Sequence, residues 1–215
     1  MQEATRIIAV RHGETAWNAD ARIQGHQDVE LNDTGRLQAR RLGQALADEN
    51  PAAIYSSDLR RALQTAEAVA RTTGVPLIAA PGLRERGFGA FEGRTFEDVQ
   101  VHAPEHARRW RQRDPDYAPA GGGESLTALR ARVQRTVDEL AARHTGALIV
   151  LVAHGGVMDV LYRLATHQGL QAPRTWVLAN AAINRLLWSR ASGLALVGWG
   201  DTRHLTERGR DELHG

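Results

Sequence analysis

The chain is 215 residues long, its 27 basic residues are all arginine against 25 acidic ones, and it contains no cysteine. Without lysine there is no Schiff-base amine and no P-loop lysine for a nucleotide phosphate, and without cysteine no thiolate nucleophile or sulfur-ligated metal. Any phosphoryl chemistry must run on arginine and histidine.

This length suits one domain with a single core, expected to span residues 1–215. An apolar content of 42% and a charged content of 24% are ordinary for a soluble protein. The isoelectric point near 9.6 does not signal a nucleic-acid partner, because the net charge is only +2 and no lysine titrates before the tyrosines. The first ten residues lack the charged leader and long apolar stretch of a signal peptide, and no apolar run approaches a membrane span. With cysteine absent as well, the expectation is a cytoplasmic protein with neither a membrane nor a nucleic acid as partner.

In chain order, Arg6 to Val10 is a β-branched run opening onto Arg11-His12-Gly13, which predicts a buried strand and a loop. Asn32, Asp33 and Thr34 are N-cap candidates for a helix with Leu42, Ala45 and Leu46 on its apolar face, stopped at Asn50-Pro51. Ala53 to Tyr55 predicts a second strand. Asp58 then stands as N-cap of a helix bearing Leu59, Ala62, Leu63, Ala66, Val69 and Ala70 on one face and ending near Gly74. Pro76 to Ala79 is a third strand leading to Leu83-Arg84-Glu85, and Arg94 to Glu124, rich in Arg, Pro and Gly, is the least regular stretch. Ser125 reads as an N-cap for a helix through Leu126, Leu129, Val133, Val137 and Leu140. The apolar run Ala147 to Ala153 is the clearest strand, opening onto His154-Gly155-Gly156 and a helix with Val157, Val160, Leu161, Leu164 and Ala165 aligned. Ala182 to Trp188 and Leu194 to Trp199 flank a turn and predict a hairpin. Alternating strands and helices with continuously apolar strands imply an α/β fold whose mostly parallel sheet is covered on both faces.

Ligands of open α/β sheets sit outside the carboxyl ends of the strands. Those ends deliver Arg11 and His12, then Asp58, Arg60 and Arg61, then Glu85, then His154. Two histidines, several arginines and a carboxylate on one rim describe a cationic pocket with a candidate nucleophile and a candidate acid.

Arg11-His12-Gly13-Glu14-Thr15 with Trp17-Asn18 resembles the signature of the histidine phosphatase superfamily, which includes the cofactor-dependent phosphoglycerate mutases. The resemblance continues in order through Gln24-Gly25, Ser57-Asp58-Leu59-Arg60-Arg61-Ala62, Leu83-Arg84-Glu85, Phe91-Glu92-Gly93, Gly123-Glu124-Ser125, Ala153-His154-Gly155-Gly156 and Gly200-Asp201-Thr202. It implies a three-layer α/β/α sandwich, a phosphohistidine intermediate, and neither metal nor cofactor. His12 is then the nucleophile. Arg11, Arg61 and His154 spread positive charge over the phosphoryl oxygens, and nearby cations keep His12 neutral. Glu85 serves as general acid and then base. Asn18, Gln24, Gly25 and Gly155 join Arg61 in substrate binding. The family pattern places the phosphate-facing arginine directly before the alanine, so Arg60 falls at the edge or in solvent. Family members are often dimers, which makes a homodimer an expectation.

Other readings are weaker. His102 and His106 have metal-like spacing, but Pro104 lies between them and the usual glutamate is missing. Ser125 lacks a nucleophile elbow, since Thr127 fills its last glycine position. Arg108, Arg109, Arg111 and Arg113 read as a solvated helix face, with a strip for an anionic substrate tail or a nucleic acid as the alternative. Trp176, Trp188 and Trp199 read as packing. The leading expectation is a metal-independent phosphatase of small phosphomonoesters, with a cofactor-dependent mutase second and a catalytically idle binding protein third. The short Glu85-to-His154 segment and its lack of lysine favour the phosphatase. Specificity is expected in Arg94 to Glu124, with Trp110, Tyr117 and the arginine strip at the entrance.

Overall fold

The computed structural model describes residues 3–206, so residues 1–2 and 207–215 of the expected domain lie outside it. The first half runs β1 (Thr5–Arg11), α1 (Ala16–Ala19), α2 (Asp33–Ala45), β2 (Ala53–Ser56), α3 (Arg60–Thr73) and β3 (Leu77–Ala79). The second runs α4 (Phe96–His102), α5 (Pro104–Arg111), α6 (Leu126–Ala142), β4 (Leu148–Ala153), α7 (Gly155–Ala165), β5 (Ile183–Ser189), β6 (Gly193–Asp201) and α8 (Arg203–Thr206).

Successive strand residues point to opposite faces, so an apolar run needs cover on both. Ile7, Ala9, Ile149 and Leu151 pack with Leu129, Val133 and Val137 of α6 and Val157, Val160 and Leu161 of α7. Ile8, Val10, Val150 and Val152 pack with Leu42 of α2 and Ala62, Ala66 and Val69 of α3. The result is the expected α/β/α sandwich. The sheet order is β3-β2-β4-β1-β5-β6, with the first four strands parallel and the last two antiparallel.

Insertion of β4 between β2 and β1 is what assembles the rim. Arg11 pairs with Ala153 and Ser56 with Val152, so the chain leaves β1, β4 and β2 side by side at His12, His154 and Ser57. The His12 amide donates to the Ala153 carbonyl at 2.9 Å and the Ser57 amide to the Val152 carbonyl at 3.0 Å, extending the ladder by one step.

Three expectations need correction. Asp58 does not cap α3: the N-cap is Leu59 without a side-chain bond, while the Asp58 carboxylate takes a bidentate pair from Arg84 at 2.7 and 2.6 Å. Ala45 is exposed, and α2 instead buries Gly35, Ala39, Leu42 and Gly43, because its glycines let neighbouring backbone approach. Arg94 to Glu124 contains two short helices, α4 and α5. Thr95 opens the first with a reciprocal capping box with Asp98, and Pro104 opens the second. Their apolar residues Val99, Ala107 and Trp110 form a small core of their own with Phe88, Phe91 and Tyr117, making a cap at the rim. Ser125 does cap α6, accepting from the Ala128 amide at 3.1 Å. Among the described residues no helix is long and apolar enough to cross a membrane.

The central layer should dominate stability. Leu151 is 1% exposed at the centre of β4, and Leu151→Ala should cost about 2–5 kcal/mol in urea unfolding; a smaller loss would mean the two helical layers close over the gap.

Candidate active site

The His12 ring is buried beneath the loop that follows β1. Its Nδ1 lies 2.7 Å from the Gly13 carbonyl oxygen, which can only accept. Nδ1 therefore carries the proton, leaving the Nε2 lone pair free as the nucleophile. The loop is held by the Gly13 amide donating to Thr65 Oγ1 at 3.0 Å and by Asn180 Nδ2 donating to the His12 carbonyl at 2.8 Å. Burial, then Arg61, then Arg11 push the His12 pKa well below its ordinary value. Desolvation comes ahead of the neighbouring cations, which the sequence alone had put first.

His154 is fully buried, with its ring centroid 5.2 Å from that of His12. Its Nε2 is 2.8 Å from Ser57 Oγ, while Nδ1 is buried with no protein partner. Ser57 Oγ also accepts from the Leu59 amide at 3.3 Å, and among the described residues His154 Nε2 is the acceptor within reach of its hydroxyl proton, which assigns the imidazole proton to Nδ1. Burial, Arg61, His12, Arg11 and His26 lower the His154 pKa as well.

The two arginines have the same incompleteness. Arg61 donates through Nη1 to the Gln27 carbonyl and through Nη2 to the Gly25 carbonyl, both at 2.8 Å, and its buried Nε has no partner. Arg11 donates through Nη1 to the Leu178 carbonyl at 2.5 Å, and its Nε is likewise orphaned. Burial lowers the Arg61 guanidinium to about 10 against the pull of Glu85 and Asp28, which leaves it charged at neutral pH. Three buried donors thus lack protein partners beside an unprotonated imidazole nitrogen, the arrangement expected of a site built for an anion.

Glu85 lies at the amino end of α7. Its Oε1 and Oε2 accept from the Gly156 amide at 3.0 and 3.1 Å, and Oε1 also accepts from the Arg86 amide at 2.7 Å. A Cβ on Gly156 would collide with Oε1, while one on Gly155 would stand 3.7 Å from both Arg11 Nε and Glu85 Oε2. A side chain at the second glycine would push the Glu85 carboxylate from this seat, and the first glycine lies between the acid and the guanidinium. Arg132 ties this turn down, donating to the carbonyls of Gly82, Arg84 and Glu85 and pairing with Glu124 at 2.6 Å.

The histidine phosphatase superfamily (branch 1) matches residues 7–202. The chain belongs to that superfamily. It is 37% identical over 205 residues to phosphoglycerate mutase-like protein 4 of Arabidopsis thaliana, covering 94% of this chain and 88% of that one. It is 36% identical to the metal-independent phosphoserine phosphatase of the same plant, covering 96% and 86%. Among solved structures, the mycobacterial glucosyl-3-phosphoglycerate phosphatase superposes with a TM-score of 0.83 at 33% identity, covering 93% of this chain and 100% of that one.

The expected residues of this histidine phosphatase meet on one rim, but their immediate tasks differ. Asn18 Oδ1 closes the Thr15 capping box, and Gln24 Oε1 accepts from Thr15 Oγ1, so both order the loop around His12. Gly25 is held by its carbonyl on Arg61. Arg60 faces outward and pairs with Glu30. His102 and His106 lie on different helices, bonded to the Asp98 carbonyl and the Tyr117 hydroxyl. Tyr117 is buried at 3% exposure and supports the cap from beneath rather than lining its entrance. The arginines taken as a solvated face are individually paired: Arg108 with Glu105, Arg109 with Asp114, and Arg113 with Asp159. Ser57, Thr65, Asn180 and Arg132 had no assigned role. Ser57 lies inside a quoted motif, whereas Thr65, Asn180 and Arg132 lie outside them.

Two measurements check this geometry. In imidazole ¹⁵N spectra His154 should be the Nδ1–H tautomer, and Ser57→Ala should mix the tautomers while Ser57→Thr preserves the native one; an Nε2–H form in the native protein would overturn the assignment. Both histidines have lowered pKa values, so below about pH 6.5 the unfolded chain binds protons that the folded one refuses. Stability should therefore rise with pH up to that value, by as much as about 1.4 kcal/mol per unit for each histidine, with a smaller slope in His154→Gln, measured by urea unfolding across pH 5–7.5.

Proposed function

We propose that the protein is a single catalytic domain that hydrolyses small phosphomonoesters through a phosphohistidine on His12. The carrying observation is the set of buried donors without protein partners, Arg11 Nε, Arg61 Nε and His154 Nδ1, gathered around a histidine whose Nε2 lone pair is free. A phosphoryl group has three equatorial oxygens that gather charge in the transition state, and fixed donors in a dry site stabilise that charge without reorganising.

In the first step His12 Nε2 attacks phosphorus. The bond from phosphorus to the substrate oxygen breaks, and Glu85 delivers a proton to the departing alkoxide. In the second, Glu85 takes a proton from water, the resulting oxygen attacks phosphorus, and the phosphorus–nitrogen bond breaks to release phosphate and neutral His12. The Gly156 and Arg86 amides hold the carboxylate in one position for both transfers. The curated relatives include a metal-independent phosphatase alongside proteins named for mutases. A cavity of about 430 Å³ is lined by Arg11 and Gly155, which gives room beside the phosphoryl site for the alcohol half of a small phosphomonoester.

The test is turnover of para-nitrophenyl phosphate in EDTA. The wild type should be active, His12→Ala should lose about 10⁴-fold or more in kcat, and the trapped phosphoenzyme should be acid-labile and alkali-stable. Activity that survives in His12→Ala would overturn the mechanism. Interconversion of 3- and 2-phosphoglycerate that outpaces phosphate release would establish the mutase instead.

A further inference from the structure

The peptide that joins His12 to Gly13 is held by both of its polar groups. Its carbonyl oxygen accepts from Asn180 Nδ2 at 2.8 Å, and its N–H donates to Thr65 Oγ1 at 3.0 Å. Thr65 stands one helical turn along α3 from Arg61, and Asn180 lies in the segment between α7 and β5. Each anchor is itself fixed. Thr65 is fully buried, and its hydroxyl donates to the Arg61 carbonyl at 2.7 Å, which leaves the oxygen to accept from Gly13. The residue after Asn180 is tied to β1, the Ala181 amide donating to the Arg11 carbonyl at 2.8 Å. On a third side backbone packs on backbone: a Cβ on Gly13 would lie 2.6 Å from the Gly35 carbonyl oxygen near the head of α2.

A peptide unit is planar, so holding its oxygen and its N–H fixes its tilt, and with it ψ of His12 and φ of Gly13. Those angles help place the Gly13 carbonyl oxygen, the acceptor 2.7 Å from His12 Nδ1. Among the described residues this is the one hydrogen bond that the ring makes. The position of an imidazole proton follows the bonds its nitrogens make, so this contact is what holds the proton on Nδ1 and leaves the Nε2 lone pair to the substrate.

We infer that Thr65 and Asn180 are positioning residues that clamp the His12–Gly13 peptide, so that the Nδ1–H tautomer of His12 and the aim of its Nε2 depend on them. The clamp also joins the nucleophile to two other parts of the site. Thr65 does so through the Arg61 carbonyl, and Asn180 through Nδ2, which lies 3.4 Å from Asn18 Oδ1. Losing either anchor leaves one polar group of the peptide unpaired and lets its plane rotate. The Gly13 carbonyl then has no fixed place beside Nδ1. A displacement of about 1 Å at a reacting atom costs on the order of 10²-fold in rate. The kinetic consequence rests on the phosphatase reading, whereas the tautomer depends on the geometry alone.

The experiment reads the His12 ring of the full-length protein by imidazole ¹⁵N spectroscopy at about pH 7.5, where a neutral ring reports its tautomer, and para-nitrophenyl phosphate hydrolysis separately. The wild type should show the Nδ1–H form. Thr65→Val, nearly isosteric, and Asn180→Ala should each populate the Nε2–H form. Each should also lower kcat about 10- to 100-fold, with KM changed by less than about threefold. Thr65→Ser, which keeps the hydroxyl, should hold the native tautomer and recover most of the kcat that Thr65→Val loses. Thr72→Val is the control, because it deletes a hydroxyl of the same helix whose bonds go to the Gly43, Ala68 and Val69 carbonyls. It should change neither tautomer nor kcat. A native tautomer in both Thr65→Val and Asn180→Ala would overturn the clamp. So would a kcat loss that Thr65→Ser does not relieve or that Thr72→Val equals. A wild type that leaves the ester intact, with the tautomer still shifting in the two variants, would instead overturn the phosphatase reading and leave the clamp standing.

Discussion

Burying two arginines beside two histidines, with Glu85 offsetting part of their charge, is the constraint around which this molecule is built. Arg61 is fully buried, Arg11 Nε is buried, and both arginines act on two buried imidazoles. Desolvation and mutual repulsion both act against charge here, and the lowered pKa values of all four groups express it. The fold answers with carbonyl oxygens. Gly13 accepts from His12, Gly25 and Gln27 from Arg61, and Leu178 from Arg11, which neutralises part of the positive field while leaving Nε of both arginines and Nδ1 of His154 unsatisfied. The phosphoryl anion proposed for this site would supply what the protein withholds.

That arrangement depends on sheet order more than on any single residue. Because β4 lies between β1 and β2, His154 stands between His12 and Ser57, and the serine can reach the second histidine from the far side. The apolar interior on both faces of these strands holds the three ends in register to within one hydrogen-bonded step. A sheet with β4 at its edge would separate the histidines by at least one strand spacing, about 4.8 Å further than they are.

The cap formed by α4 and α5 serves a different purpose. Its own small core around Phe91, Val99 and Trp110 lets it stand beside the rim as a separate cluster. It is fastened by arginines: Arg86 to the carbonyls of Tyr117 and Glu124, and Arg113 to Leu170 and Asp159. These fastenings also line the cavity that opens beside Arg11 and Gly155.

Much of this was legible in the residues alone. Apolar runs ending in Arg11-His12 and His154-Gly155 mark where strands stop, and strand ends are where an open sheet presents its ligands, so His12, Arg61, Glu85 and His154 could be placed on one rim from periodicity and family pattern. What stayed hidden depends on contacts across long stretches of chain. Ser57 meets His154 from 97 residues away, and Asn180 reaches His12 from 168. Asp58 looked like a helix cap because that is its local preference, yet the bidentate grip of Arg84 outbids a single backbone amide. The two short cap helices escaped notice because two turns carry too little periodicity to stand out among Arg, Pro and Gly. The sequence by itself narrowed the kind of chemistry, since lysine and cysteine were not available for it, and marked which strand ends would carry it. Only the tertiary structure decided which nitrogen of each histidine faces the substrate, which arginine nitrogens stay free and which way Arg113 turns, because hydrogen-bond partners and burial are properties of what packs against a residue, not of its neighbours in the chain.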